Sequence, residues 1–257
     1  MMNSTPLRIS AVSYINASPF VYGLEHSGFL KNFSLSLDVP SVCAEKLKSN
    51  QVDIGLAPVA IIPELGEHFI LPDFCIGANG PVRTVMLYSD VPLKYIKTIY
   101  LDPQSRTSCL LVQILAKHWW KIFPRFAGAK EGYEKKIKAS IAGLVIGDRN
   151  FLLAGKYKYA YDLSEEWKSY TKLPFVFACW IANKKLDEKV SSALYQALKF
   201  GVDNRDKILK SLGTQIDEKT AKNYLYNSIN YKFDKQKQEA MNLFLKLAGE
   251  IKGLPQP

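Results

Sequence analysis

"GANGPVRTVMLYSDVPL", Gly77–Leu93, breaks the pattern of the chain. Gly and Pro end one element, and an extended run, "VRTVMLYS", follows. Upstream, the segments alternate. "LRISAVSYI" (Leu7–Ile15) is β-like, and "SPFVYGLEHSGFL" (Ser18–Leu30) has helical spacing, with Ser18 and Pro19 suited to N-cap and N1. "FSLSLDV" (Phe33–Val39) alternates as a strand, and "PSVCAEKLKSN" (Pro40–Asn50) reads as a short helix. "VDIGLAP" (Val52–Pro58) reads as a buried strand. This β-α-β-α-β order is the unit of a parallel sheet with covering helices.

Downstream the design recurs. "IKTIYLD", then "DPQSRTS" (Asp102–Ser108), leads into the helix "SCLLVQILAKHWW". "IAGLVIGD" (Ile141–Asp148) is an apolar strand ending in Gly-Asp, followed by "RNFLLA". "YAYDL" and "FVFACWIAN" (Phe175–Asn183) are further strands, and the pattern from Asp187 onward is helical. Extended runs near Val82–Ser89 and Phe175–Asn183 join the two series. Two such crossovers predict an α/β fold of two lobes with a ligand cleft between them. One lobe is expected from residues 1–88 with 184–257, the other from residues 89–183.

The 257 residues carry a net charge of +10 and are 47% hydrophobic, enough for a sizeable core. The charge favours anionic partners. It is scattered and accompanies no nucleic-acid-binding module, so no nucleic-acid partner is expected. Cys43, Cys75, Cys109 and Cys179 lie far apart, which favours buried, reduced thiols. His26, His68 and His118 show no metal-ligand spacing. The start, "MMNSTPLRISAVSYI", has no long apolar run and no cleavage site, and no apolar run elsewhere approaches membrane-spanning length. A cytoplasmic location without membrane attachment is expected.

In α/β sheets, ligands bind outside the carboxyl ends of strands. The polar strand ends are Ser13–Asn16, Pro58–Ala60, Arg83–Thr84, Ser105–Ser108 and Gly147–Asp148. In "DPQSRTS", four contiguous side chains, Ser105, Arg106, Thr107 and Ser108, stand at a helix entrance. Free N–H groups and the positive end of the helix dipole add to them, and together they suit a carboxylate or phosphate. An ordinary Ser cap with Arg106 paired to a surface acid is the competing reading. Ser13, Tyr14 and Asn16 suit a cleft wall or a satisfied turn. Arg83 and Thr84 fall on opposite faces of an extended segment. Asp148 suits a base or a helix N-cap.

Taken together, "AVSYINASPFVYGLE", "DVPSVCAEKLKSNQVDIGLAPVA", "GPVRTVMLYS", "LDPQSRTS", "LVIGD" and "YDLSEEWKSYTKLPFVFACW" closely resemble the chorismate dehydratase family of the futalosine route to menaquinone. The resemblance runs in order from about residue 7 to 183. It implies a type II periplasmic-binding-protein fold, and elimination of water from chorismate to 3-[(1-carboxyvinyl)oxy]benzoate. The implied substrate is a dianion, with no metal or redox cofactor. By the same resemblance, Ser105, Arg106, Thr107 and Ser108 bind one carboxylate. Asn16 hydrogen-bonds the substrate, and Thr84 stands where the family usually has Ser. Arg83 is a second charge partner or a structural residue. The base is Asp148 or the substrate's own side-chain carboxylate, and Ser13, Tyr14, Pro58 and Gly147 line the substrate. Ala17 and Ser18 replace a Thr-Lys pair common in the family. The sibling enzyme that makes 1,4-dihydroxy-6-naphthoate typically has His at the position of Gly147. A non-catalytic binding protein for an aromatic carboxylate would use the same anion donors.

Overall fold

The computed structural model describes residues 6–212 and 216–251. They form two compact units. One contains the described residues up to Ile76 together with Ala178–Phe233. The other contains Gly77–Phe177 and the described residues from Asp234 onward.

The first unit opens with β1 (Leu7–Val12), α1 (Ser18–His26), β2 (Phe33–Asp38), α2 (Pro40–Lys48) and β3 (Ile54–Pro58). β1 lies between β2 and β3 and is parallel to both, with Leu7 opposite Phe33 and Ile9 opposite Ile54. Every residue of β3 is buried, as a continuous apolar strand requires. α1 starts at Ser18 with Ala17 in the cap position, because a 3-10 turn, Ile15–Ala17, runs directly into it. The expected Ser18 cap is therefore absent.

β4 (Phe69–Ala78) follows, and the chain leaves the first unit within it. This corrects the passage expected near Val82–Ser89. β5 (Val85–Ser89) is paired antiparallel on both sides inside the second sheet, with β8 (Ile141–Ile146) and β9 (Tyr159–Asp162). Between β5 and β8 come β6 (Thr98–Leu101), α3 (Thr107–Ile114) and β7 (Arg125–Gly128). α3 continues as a π-type helix over Leu115–Trp120, ended by Lys121 at φ 55°. α4 (Asn150–Leu153) follows β8, and α5 (Leu163–Thr171) follows β9. The strand order is β7-β6-β8-β5-β9, with β6 parallel to β7 and β8.

β10 (Phe175–Ala182) returns the chain and pairs antiparallel with β3. α6 (Glu188–Asp203), α7 (Asp206–Leu212), α8 (Glu218–Asn223) and β11 (Asn230–Phe233) complete the first unit, whose sheet runs β11-β4-β10-β3-β1-β2. α1 crosses α6 at Gly23 and Gly201; a Cβ on Gly201 would lie 1.8 Å from the Pro19 carbonyl oxygen. α9 (Lys235–Gly249) belongs to the second unit, whereas the sequence pattern placed it with the first. Its Phe244 is buried edge-on against Phe175, with ring centroids 5.3 Å apart.

All four cysteines are buried free thiols, in line with expectation. Among the described residues no helix is long and apolar enough to cross a membrane.

Candidate functional site

Each sheet has a point where the strand order reverses around its first parallel strand. In the first unit that point is at the carboxyl ends of β1 and β3; in the second it is at the ends of β6 and β8. Crevices outside such points are where open α/β sheets take ligands.

At the first-unit point, Ser13 donates its N–H to the Asp38 carbonyl at 2.9 Å, and its side chain is exposed. Tyr14 is half-buried before the 3-10 turn. The Asn16 carbonyl accepts the Tyr231 hydroxyl at 2.9 Å. Burial holds the Tyr231 phenol well above its ordinary pKa, so it remains a donor. Asn16 Oδ1 is a buried atom with no hydrogen-bond partner among the described residues. Pro58 ends β3 and is buried.

The second-unit point is built around α3. Ser105 Oγ accepts the Ser108 N–H at 3.0 Å, so Ser105 is the side-chain cap of this helix. The Thr107 hydroxyl donates to the Phe177 carbonyl at 3.1 Å, which commits its hydrogen to the adjoining strand. Ser105, Thr107 and Ser108 are buried, and Arg106 is half-exposed at the helix mouth. The buried Ser105 and Ser108 hydroxyls, with the Arg106 cation beside them, suit an anion better than a bare surface cap does.

The other second-unit candidates lie on two neighbouring turns. Gly147, at φ 73°, donates its N–H to the Thr84 carbonyl at 2.9 Å. Asn150 Nδ2 reaches the Thr84, Val145 and Gly147 carbonyls at 3.1, 3.2 and 2.9 Å. Thr84 is buried and Arg83 exposed, but both lie in a bend before β5, which corrects the extended segment expected there. Asp148 is half-buried in the turn into α4, and its carbonyl accepts the Phe151 N–H at 3.0 Å. Arg83 takes φ 66°, and its N–H is held by Asp162 Oδ2 at 2.6 Å. Burial pushes the Asp162 carboxyl above its ordinary pKa, against the pull of the N–H groups of Arg83, Val82, Glu165 and Ser164.

Sequence reasoning missed the residue that ties these turns together. Asp102 is fully buried; its Oδ1 accepts the Gln104 N–H, and its Oδ2 accepts the Ile146 N–H, each at 3.0 Å. The Tyr133 hydroxyl is 3.0 Å from the same Oδ2, and the Arg149 guanidinium pairs with it and with Glu134. The available signal was a carboxylate placed directly after the apolar run of β6.

Two units of this topology are those of the periplasmic-binding-protein fold. Protein AF1704 from Archaeoglobus fulgidus is similar at a TM-score of 0.77 and 14% identity, covering 97% of this chain and 98% of that one. A Candida albicans protein, CA3427, described as having the generic periplasmic binding protein fold, is similar at a TM-score of 0.63 and 14% identity, over 98% and 92% of the two chains. The family model for menaquinone biosynthesis matches residues 7–250, and the chain belongs to that family. A chorismate dehydratase from Thermus thermophilus is 28% identical over 219 residues, 76% of this chain and 75% of the relative.

Proposed function

We propose that this protein is a chorismate dehydratase, a carbon–oxygen lyase acting in the cytoplasm on the futalosine route to menaquinone. The observation that carries the reading is the likeness to the Thermus thermophilus chorismate dehydratase, inside a match to the menaquinone-biosynthesis family over residues 7–250. The hydroxyl-lined start of α3, with Arg106 at its mouth, supports it by fitting a carboxylate.

The reaction breaks the C–H bond of the ring carbon that carries the enolpyruvyl ether. Its electron pair is delocalised toward the ring carboxylate through the conjugated diene. The neighbouring hydroxyl then leaves as water, protonated by the ring proton that the side-chain carboxylate has taken up, and the ring becomes aromatic. The driving force lies in the substrate, so the protein's work is orientation and charge stabilisation. Arg106 and the α3 N-terminus hold a carboxylate. Ser105 Oγ, which accepts from Ser108, keeps its own hydrogen to donate. The substrate's side-chain carboxylate takes the ring proton. Thr84, Gly147 and Asp148 shape the second turn.

The test is incubation of purified protein with chorismate, followed by ultraviolet absorbance and mass. Appearance of the aromatic enol ether, lighter than chorismate by one water, is the expected result. Chorismate bound but recovered intact would indicate a non-catalytic binding protein. Turnover of a cyclic futalosine derivative instead would indicate the sibling naphthoate-forming activity.

A further inference from the structure

We infer that Asp102 is the positioning residue of the second unit, setting the Ser105–Ser108 turn and the Ile146–Asp148 turn against each other. For its substrate the inference rests on the chorismate reading; its geometry stands apart from that reading.

Asp102 follows β6 and has no solvent exposure. A carboxylate removed from water is retained only where its lone pairs are filled and its charge is met. Here the filling is divided between two turns. Toward α3, Oδ1 accepts the Gln104 N–H at 3.0 Å and the Asp102 carbonyl accepts the Ser105 N–H at 3.2 Å. Toward β8, Oδ2 accepts the N–H of Ile146, the residue before Gly147, at 3.0 Å. Arg149, the residue after Asp148, pairs with the same oxygen. One side chain thus bridges the ends of β6 and β8, where the strand order reverses. Tyr133 closes the cluster from the third side, and burial followed by the Asp102 charge pushes its phenol far above its ordinary pKa, so it stays a donor.

Arg149 has a second effect. A bare carboxylate beneath an anion cradle would repel a dianionic substrate. The guanidinium, 35% exposed, meets that charge but is shared with Glu134, so one positive group faces two carboxylates. Arg149 therefore lessens the repulsion at the cradle while Asp102 supplies the bridging geometry.

The test uses Asp102→Asn and Arg149→Met in the full chain, read by backbone amide hydrogen exchange and by steady-state kinetics with chorismate. The Asn side chain sets an N–H₂ against backbone donors on one side or the other. Exchange at both turns is expected to quicken roughly tenfold or more, the loss of a charge-assisted bond. β5 and β9 are expected to stay protected. KM rises about tenfold while kcat stays within about threefold, because the cluster orders the cradle and does not move the proton. Arg149→Met quickens exchange in the Ile146–Asp148 turn alone, and Arg149→Lys restores part of it. Wild-type exchange at both turns overturns the inference. A uniform rise across the second sheet also does, since it would make Asp102 general core support. If Asp102→Asn does not fold, Arg149→Met decides by the same criterion. Failure of the wild-type protein to turn over chorismate would sink the proposed function and leave the exchange result to judge Asp102.

Discussion

Asp162 Oδ2 accepts the backbone N–H of Arg83 at 2.6 Å and holds Arg83 in the left-handed region, at φ 66°. A residue with a Cβ pays about 1–2 kcal/mol to stand there. The same carboxylate caps α5 by accepting the Ser164 and Glu165 N–H groups at 3.0 and 3.3 Å. Asp162→Ala is therefore expected to cost about 2–4 kcal/mol, from a lost cap and an orphaned buried N–H. The readout is the denaturant midpoint at unchanged slope. Arg83→Gly should stay within about 1 kcal/mol of wild type, since Gly takes this backbone freely. A wild-type KM in that variant would assign Arg83 to the backbone; a raised KM would assign its guanidinium to the substrate.

Arg106→Ala should raise the KM for chorismate by roughly tenfold or more, the scale of one charge-assisted contact, and leave the thermal midpoint nearly unchanged. The side chain is half-exposed at the helix mouth and is not part of the buried core. Unchanged kinetics would return Ser105–Ser108 to the role of a helix cap.

With the proton taken by the substrate's own carboxylate, Asp148→Asn should keep most of the turnover. A collapse of kcat with unchanged binding would move the base to Asp148.

Acid stability offers a test away from the site. Burial opposes charge on Asp38, but hydrogen bonds from Lys46, Ser36 and Ser10 outweigh it, and the pKa falls below the ordinary 3.8. Lys46 Nζ lies 2.7 Å from the carboxylate. With the folded value below the unfolded one, the stabilisation is full above 3.8 and is lost as pH falls through the folded pKa. Lys46→Met should remove roughly 1–2 kcal/mol at neutral pH. Its stability should approach that of wild type as the pH drops below that window. A pH-independent difference would mean that the pair is not what Lys46 contributes.

The β1-to-β3 unit was legible in the sequence because its periods are local: an alternating edge strand, a Pro-opened helix and an unbroken apolar strand. β4 was hidden because Pro72 and Asp73 interrupt its run; Asp73 takes φ 77° and the strand continues. The placement of α9 was hidden for a different reason. An amphipathic pattern states that a face is buried, and not whether Phe244 meets Phe175 or some other ring. At the site, the hydroxyl row of Ser105–Ser108 was evident as polar residues at a helix entrance. The tethering by Asp102 was not, because Tyr133, Ile146 and Arg149 lie 31 to 47 residues away in sequence. No local window contains them.

The interleaving of the units has a consequence during synthesis. As β3 leaves the ribosome, its partner β10 does not yet exist, because Gly77–Phe177 must be translated first. A fully buried apolar strand therefore waits with one edge open, which is the condition that invites wrong pairing between nascent chains. The second unit in turn lacks α9 until β11 has been made. Neither half can close early, so premature termination at any point before α9 yields a chain with at least one unfinished core.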